Sequence, residues 1–331
     1  MLLHSIIIAG TGIYYPDNCV TNDDLSKTVD TSDEWIKSRS GIHQRYIAPK
    51  GIESSDMAVE AGRKAIADAG LSEADIDLLI IGTMSPDYNF PSTACLVQAK
   101  LGLGNIPSFD VHAACSGFLY TLEVGTRMLQ SGNYKHALII GSEKMSSILD
   151  WEDRETCVLF GDGAGAAVLS CSETPDIGII DNILAVDGSN PDLLYTPAGG
   201  SVQAIDAEAL AQRDNFLKMK GKEVFKSAVR RMAEISDKIL EQNNISVDDI
   251  ACIIPHQANI RIIDSLAKHM GVPTDKCFLN IDRYGNTSAA SIPIALHEAK
   301  NSNRFKKGDY ILLVAFGAGL TWAASLIKWH T

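Results

Sequence analysis

A single cysteine, Cys115, stands where two local patterns meet in the segment FDVHAACSGFLY at 109–120. The residues before it are typical of a strand, and the apolar residues after it recur at helical spacing as far as Ser131. A cysteine at the start of a helix meets free backbone N–H groups and the positive end of the helix dipole, which favour a thiolate and can hold an oxyanion. We therefore interpret Cys115 as a candidate nucleophile, and packing as a small buried side chain is the alternative.

Two segments in the second half of the chain carry polar side chains that could assist a thiolate. His256 follows the apolar run IIP at 253–255, and Asn286 lies in the turn GNT at 285–287, before small residues that begin a helix. A histidine just past a buried strand end can face a cleft, or it can be hydrogen-bonded as part of the structure. An asparagine in such a turn can also simply adopt a left-handed or capping conformation. The residue types alone leave both alternatives open.

Composition narrows the class of protein. The chain has 331 residues, 46% of them hydrophobic and 21% charged, with a net charge of −12. This balance is typical of a globular protein and argues against nucleic-acid or anionic-membrane partners. Seven scattered cysteines without a C-x-x-C motif predict neither disulfides nor a metal site, and they fit a reducing cytoplasm. The N-terminal apolar run is expected to be a strand and not a signal peptide, and no apolar run is long enough to cross a membrane.

Two glycine-rich segments could suggest a dinucleotide site. Gly161, Gly163 and Gly165 alternate in FGDGAGAAVL, and AGTG at 9–12 has no third glycine at the required place. Neither segment has the G-x-G-x-x-G spacing that brings a backbone against a pyrophosphate. We expect these glycines to form tight turns between packed layers.

The elements that must position these residues alternate between strand-like and helix-like patterns, which predicts an α/β protein. Segments 65–83 and 239–257 share a helix end, a Ser-x-x-Asp-Ile motif and an apolar strand. Segments 136–143 and 109–118 likewise match 309–317 and 279–291, in the same order. Common α/β patterning is one explanation. Duplication is the other, and it predicts two halves, 1–172 and 173–331, that share a core, with 187–215 inserted over a binding site.

Seven segments spread over residues 31–322 carry a resemblance to a known family. They are TSDEWIKSRSGI, AACSGF, FGDGAGAAVL, KGKEVFK, PHQANIRI, RYGNTSAAS and AFGAGLTW. Together they resemble 3-oxoacyl-[acyl carrier protein] synthase III, the condensing enzyme that initiates type II fatty acid synthesis. The resemblance implies a duplicated thiolase-like fold, a five-layer αβαβα arrangement with two mixed sheets around central helices.

The resemblance also assigns roles in catalysis. It implies that Cys115 takes an acyl group from a short acyl-CoA, with acetyl-CoA expected, while His256 and Asn286 donate hydrogen bonds to the enolate formed when malonyl carrier protein loses CO2. The backbone N–H groups of Cys115 and Ala318 would form a second oxyanion hole, and Phe316 would line the cleft. Many members of the family have glycine where this chain has Ala318. Coenzyme A would enter as a thioester substrate, so no cofactor and no metal are expected.

Binding roles follow from the same resemblance. The expected coenzyme A contacts are Thr31, Trp35, Arg39, Arg154, Gly221, Phe225 and Asn259. The expected carrier-protein contacts are Lys226, Arg261 and Lys268, within a segment rich in basic residues, whereas a solvated helix face is the alternative. Phe90 would reach across a homodimer and close the acyl pocket of the partner. From the residues themselves, Thr31 to Glu34 predicts a capping box, and Trp35 could instead be packed in a core.

Other functions remain open at this point. A related enzyme could use a longer or unusual primer in secondary metabolism, and a non-catalytic subunit could merely shape an acyl pocket. A thiolase would use a second cysteine as a base. A Cys-His-Asn set also occurs in papain-like proteases, where the asparagine orients the histidine.

Overall fold

The computed structural model describes residues 5–331 and contains two main sheets. The strands are β1 (Ser5–Tyr14), β2 (Cys19–Thr21), β3 (Gln44–Tyr46), β4 (Leu78–Gly82), β5 (Ser108–Val111), β6 (His136–Glu143), β7 (Gly163–Ser172), β8 (Gly178–Val186), β9 (Leu194–Tyr195), β10 (Lys218–Met219), β11 (Ile250–Pro255), β12 (Tyr310–Gly317) and β13 (Thr321–Lys328). The helices are α1 (Asn22–Leu25), α2 (Asp33–Ser40), α3 (Ser54–Asp68), α4 (Thr93–Leu101), α5 (Gly117–Gln130), α6 (Ala207–Ala211), α7 (Gly221–Asn243), α8 (Ile260–Met270), α9 (Ile281–Tyr284) and α10 (Ser291–Asn301).

The two main sheets have the same plan. The first has the order β1-β7-β6-β4-β5, and the second has the order β8-β13-β12-β11 when read in the same sense. In each, the first two pairs in this order are antiparallel, and the third pair, β6–β4 or β12–β11, is parallel. In the first sheet β4 also pairs in parallel with β5. Cys277 makes an isolated parallel bridge to Ile253, where the fifth strand would lie. This correspondence is what a duplicated chain predicts.

Helices and sheets alternate in five layers, because each apolar sheet face needs a covering layer. Apolar residues of α5 and α10 form one buried cluster with the inner faces of both sheets. Helices α3 and α4 cover the outer face of the first sheet, and α7 and α8 cover the outer face of the second. The halves therefore share one central core, as the sequence predicts. The division at residues 172 and 173 stays a prediction, although β7 ends at Ser172.

Each central helix begins with the same unusual turn. A 3-10 turn at Ala114–Ser116 precedes α5, and a second at Ser288–Ala290 precedes α10. Ala114 and Ser288 both have left-handed φ angles, 46° and 49°. Strands β4 and β6 approach these turns closely at glycines. A Cβ on Gly82 would lie 2.8 Å from the backbone of Gly117.

The glycine-rich segments do not form the tight turns that we expect from the sequence. AGTG lies within β1, and Gly163 and Gly165 lie within β7. A Cβ on Gly165 would lie 2.8 Å from Pro293, so this glycine lets α10 pack directly on the strand. The expectation was wrong because these glycines lie within strands. They let a helix pack closely against the strand, and they do not reverse the direction of the chain. No helix among residues 5–331 is long and apolar enough to span a membrane.

Candidate active site

One buried cavity brings together side chains from both halves of the chain. Cys115 reaches it from the turn before α5, and His256 reaches it from the residue after β11. Asn286 reaches it from the loop that joins α9 to the second turn. Phe316 of β12 lines the same space. Further predicted residues on the cavity wall are Gly221, Phe225 and Asn259.

Cys115 is buried, and its environment acts in two directions on the thiol. The start of α5 favours the thiolate. Burial opposes this and raises the pKa of Cys115 to about 12, and the nearby carboxyl of Glu143 adds to the rise. The two effects oppose each other, because the cavity withdraws from water the sulfur whose ionised form the helix start favours.

His256 is a neutral imidazole with one ring nitrogen fixed. Burial lowers its pKa to about 3, so it carries no charge at pH 7. Its Nδ1 lies 2.6 Å from the Ser291 hydroxyl, which also accepts a hydrogen bond from the backbone N–H of Gln257 at 3.4 Å. When the Ser291 hydroxyl donates to Nδ1, the imidazole proton resides on Nε2. In this tautomer His256 offers the cavity a hydrogen-bond donor.

Asn286 has its amide oriented by a bond to the backbone. Its Oδ1 accepts a hydrogen bond from the Ser288 N–H at 2.9 Å. The Nδ2 group makes no hydrogen bond to any other residue in the stretch 5–331, and the side chain lines the cavity. Like His256, Asn286 therefore presents N–H to this space, which suits it to hold developing negative charge on an oxygen.

The backbone around Cys115 is held by the turn after β12. A Cβ on Gly317 would lie 2.8 Å from the backbone nitrogen of Cys115 and 3.0 Å from that of Ser116, so glycine is required by close approach. The hydroxyl of Thr321 bonds the carbonyls of Ala113 and Ala318, at 3.0 and 3.1 Å. These contacts fix Ala318 beside the nucleophile turn, where its N–H is expected to complete an oxyanion hole.

A second group of predicted residues lies on and around α2. Trp35 has cationic neighbours on its ring: the guanidinium carbons of Arg39 and Arg154 lie 5.9 and 5.5 Å from the ring centroid. Asn259 joins this group to the cavity wall by donating to the Arg39 carbonyl at 3.0 Å. A nucleotide bound here would have its flat rings beside Trp35, outside the cavity. A chain attached to that nucleotide would lie within the cavity.

The helix cap in this region differs from the predicted capping box. Ser32, and not Thr31, caps α2 by accepting a bond from the backbone N–H of Trp35 at 3.1 Å. The prediction was wrong by one residue: the cap at Ser32 has Trp35 and not an acid three positions later, so the helix has a side-chain cap without a capping box. The Thr31 hydroxyl is buried and bonds no partner among the described residues.

Some basic residues of segment 218–231 form ion pairs with acidic residues, although the sequence suggests a continuous basic surface. Lys220 pairs with Asp192, and Arg231 pairs with Asp187 and stacks over Trp322. By contrast, the exposed cations that the resemblance singles out on α7 and α8 form no ion pair with any described residue; they are Lys226, Arg261 and Lys268. Lys222 and Lys238 of α7 are likewise exposed and unpaired, so the resemblance selects three of five cations that are free to meet an acidic partner on these helices.

A broad cleft lies on the other side of the nucleophile turn. Ala113 and Ala114 form part of its wall, and much of the rest comes from the loop after β4 and from residues 191–215. The predicted insertion at 187–215 thus covers a cleft. Phe90 is 86% exposed in the loop before α4, next to the similarly exposed Tyr88.

Sequence reasoning missed two polar side chains at this site. Ser291 orients His256, and Glu143 lies at the end of β6 beside the nucleophile turn. Ser291 could have been found as the polar residue that opens a helix at the end of the GNTSAAS motif. Glu143 gave a weaker signal, a single acid at the end of the apolar run HALIIGSE.

Comparisons with known proteins agree with this geometry. A family model described as 3-oxoacyl-[acyl-carrier-protein (ACP)] synthase III matches residues 109–188, and the model of its C-terminal part matches residues 240–329. A beta-ketoacyl-[acyl-carrier-protein] synthase III from Caldanaerobacter subterraneus is 49% identical over 322 residues, which cover 97% of each chain.

Solved structures give the same result. The crystal structure of 3-oxoacyl-[acyl-carrier-protein] synthase III from Aquifex aeolicus VF5 superposes with a TM-score of 0.90 at 47% identity, covering 98% of this chain and 100% of that one. The priming beta-ketosynthase of the R1128 polyketide pathway superposes with a TM-score of 0.91 at 33% identity, covering 99% and 97%.

The fold is therefore the duplicated thiolase-like fold that the sequence predicts. The chain belongs to the 3-oxoacyl-[acyl-carrier-protein] synthase III family and is an acyltransferase, a condensing enzyme that initiates fatty acid synthesis.

Proposed function

We propose that Cys115, His256 and Asn286 catalyse the condensation of a short acyl-CoA with malonyl carrier protein. The observation that carries this proposal is that the three side chains line one cavity, with a thiol facing two N–H donors. In the first step, the Cys115 sulfur attacks the thioester carbonyl, and the carbon–sulfur bond to coenzyme A breaks. Because one thioester replaces another, the exchange is nearly balanced in energy.

The second step builds the carbon–carbon bond. Malonyl carrier protein enters the cavity and loses CO2, which leaves an enolate whose oxygen accepts hydrogen bonds from His256 Nε2 and Asn286 Nδ2. Its carbon then attacks the acyl carbonyl on Cys115, and the backbone N–H groups of Cys115 and Ala318 hold the resulting oxyanion. The Cys115 thiolate leaves, and the 3-oxoacyl carrier protein departs. No step of this sequence calls on a cofactor or a metal.

Coenzyme A would enter with its adenine against Trp35. The guanidinium of Arg154 would stack on the other side of the adenine, and Arg39 would meet phosphates. Arg154 donates at 2.8 Å to the Asp30 carbonyl and stands 5.5 Å from the Trp35 centroid, so it must move outward to admit a ring. The pantetheine chain would then pass Thr31, Gly221, Phe225 and Asn259 toward Cys115. This route fits a cavity whose wall includes the last three of those residues.

The carrier protein would dock at the mouth of the same cavity. Lys226, Arg261 and Lys268 have no acidic partner among the described residues, and the chain as a whole is acidic. Screening limits the reach of the overall charge to about 10 Å, so a local cluster of cations can still attract an acidic carrier. We propose that these cations supply the docking surface, and that the enzyme works in the cytoplasm with its carrier.

The acyl pocket would be completed by a second copy of the chain. Phe90 and Tyr88 are exposed beside the broad cleft, and Val202, Ile205 and Leu210 form further exposed apolar surface. Such surface marks an interface between proteins. A Phe90 side chain from the partner would shorten the pocket and select a short primer. F90A should then keep its dimer in sedimentation but accept longer acyl-CoAs, and an unchanged primer range would remove Phe90 from this role.

The reaction itself tests the proposed function. Purified protein is mixed with malonyl carrier protein and a panel of acyl-CoAs, and CO2, coenzyme A and 3-oxoacyl carrier protein are measured. Equal amounts of the three products, with acetyl-CoA or a short branched acyl-CoA preferred, support the proposal. Turnover confined to long primers would favour the alternative in secondary metabolism, and no product would favour a non-catalytic subunit.

A further inference from the structure

A buried arginine, Arg45, takes no part in the steps above. It is the middle residue of β3 and is 0% exposed. Burial lowers its pKa to about 10, so it remains a cation at neutral pH. No carboxylate among residues 5–331 forms an ion pair with it. A buried charge without a counter-ion is costly to the fold, so its presence calls for an explanation.

The guanidinium of Arg45 binds neutral oxygens from two separate segments. Its Nη2 donates to the Val158 carbonyl at 2.6 Å, and its Nη1 donates to the side-chain oxygen of Asn22 at 2.8 Å. Nη1 also lies 3.4 Å from the Val20 carbonyl, whereas Nε bonds no partner in the part of the chain that the structure describes. Arg45 therefore ties the segment at residue 158 to β2 and the start of α1.

Val158 begins the segment that holds Asn286. The backbone N–H of Asn286 donates to the Leu159 carbonyl at 2.9 Å, and the Asn286 carbonyl accepts from the Gly161 N–H at 3.1 Å. These two bonds form an isolated parallel bridge between Phe160 and Asn286. The main chain of Asn286 is therefore fixed by the residues that directly follow Val158.

The stem of the Arg45 side chain packs against both chains of this bridge. A Cβ on Gly161 would lie 3.0 Å from the Cβ of Arg45, and a Cβ on Gly285 would lie 3.3 Å from it. Each of these glycines adjoins a residue of the bridge, so neither chain can shift toward Arg45. The guanidinium and the stem therefore restrain the bridge together.

The hydrogen-bond donor of Asn286 moves with its main chain. The side-chain oxygen Oδ1 accepts from the Ser288 N–H at 2.9 Å, which is a bond within the same loop. No hydrogen bond from another described segment holds the side chain, and the Nδ2 group faces the cavity. The position of Nδ2 in the cavity consequently depends on the bridge to Phe160.

The other two reacting side chains are held without Arg45. The turn that carries Cys115 is fixed by the hydroxyl of Thr321, which donates to a carbonyl of that turn at 3.0 Å. His256 is fixed by its backbone N–H, which donates to a carbonyl of β12 at 2.8 Å. A change at Arg45 should therefore disturb Asn286 and spare the thiol.

We propose that Arg45 is a positioning residue for Asn286 in the decarboxylation step, an inference that rests on the proposed function. Its bond to Val158 and its packing against the two glycines fix the main chain of Asn286. They thereby fix the point at which Nδ2 meets the enolate oxygen. Arg45 is not part of the cavity wall, so it acts through the main-chain bridge and not on the substrate.

The experiment follows both half-reactions in rapid-quench assays. Acylation is measured as acetyl-enzyme formed from acetyl-CoA, and decarboxylation as CO2 released from malonyl carrier protein by the acetylated enzyme. R45M removes the guanidinium and keeps an apolar stem. It should slow CO2 release by roughly 10- to 100-fold, because misplacing a reacting group by about 1 Å costs about 100-fold. Acetyl-enzyme formation should stay within a few-fold of the parent rate.

A conservative variant and a double variant separate positioning from general damage. R45K should recover part of the lost rate, because an ammonium can donate to one segment but lacks the fork that spans both. N286A removes the donor itself and should slow CO2 release by roughly 100- to 1000-fold. Adding R45M to N286A should then cost no more than about twofold, because a residue that acts only through Asn286 has nothing left to position.

The outcomes are distinct. A loss confined to CO2 release, with partial recovery in R45K and no further loss in the double variant, supports the positioning role. Equal losses in the two half-reactions, an unchanged rate of CO2 release in folded R45M, or losses that multiply in the double variant overturn it. R45Q takes the place of R45M in each comparison if R45M does not fold. An unmodified enzyme that releases no CO2 from malonyl carrier protein would instead overturn the proposed function.

Discussion

Asn286→Asp separates the two half-reactions most cleanly. The change keeps the size of the side chain and the oxygen that accepts from the Ser288 N–H at 2.9 Å, so the turn before α10 should be preserved. It replaces the Nδ2 donor that faces the cavity with a second oxygen. Loss of one preorganised donor to an oxyanion costs about 2.7–4 kcal/mol, which is roughly 100- to 1000-fold in rate. The added negative charge opposes an enolate, so we expect the upper end of that range.

The assay follows each half-reaction separately in rapid-quench experiments. Acylation is measured as acetyl-enzyme formed from acetyl-CoA, and decarboxylation is measured as CO2 released when malonyl carrier protein meets the acetylated enzyme. Asn286→Asp should slow the second step by at least 100-fold and change the first by only a few-fold. Equal losses in both steps would refute the assignment of Asn286 to the enolate, because they would indicate a general disturbance of the cavity.

Four further predictions follow from named contacts. Arg261→Glu should raise the KM for malonyl carrier protein and leave acyl-CoA loading intact, whereas Lys307→Glu, at an exposed turn before β12, should change neither. Trp35→Ala should raise the KM for acetyl-CoA, and the KM of Trp35→Phe should stay close to that of the unmodified enzyme. Equal KM values for the two variants would exclude stacking. Ser291→Ala should slow decarboxylation about tenfold in the CO2 assay through loss of one hydrogen bond to the imidazole. Gly317→Ala should lower both the melting temperature and acylation, since its Cβ would lie 2.8 Å from the Cys115 nitrogen; a fully active, stable variant would contradict the close approach.

The residues that line the cavity could be predicted because each lies where a regular pattern ends. Cys115 precedes a helix, His256 follows a strand, and Asn286 lies in a turn before another helix. Elements of an α/β layer place such ends at one edge of a sheet, so local patterns carry information about distant neighbours. That the two main sheets share one plan could likewise be anticipated from the repeated motifs. Ser72 and Ser246, matched in the sequence, both begin capping boxes at equivalent 3-10 turns.

Properties that depend on burial could not be predicted in the same way. The helix start at Cys115 predicts a thiolate, but the depth of the cavity, which depends on both halves, raises the pKa instead. Glu143 looks like an ordinary strand end in the sequence, and its partners come from segments 60 and 145 residues away. The pairing of Lys220 and Arg231 with acids was also hidden, because those acids lie in the inserted segment.

The central claim is that Cys115 carries the acyl group, and peptide mapping after incubation with acetyl-CoA tests it most directly. The protein is quenched, digested and examined by mass spectrometry, with C115A as the control. The account predicts a single acetyl group on the peptide containing Cys115 and none in C115A. An unmodified Cys115, or acetyl on the exposed Cys19 or Cys95 in its place, would contradict it.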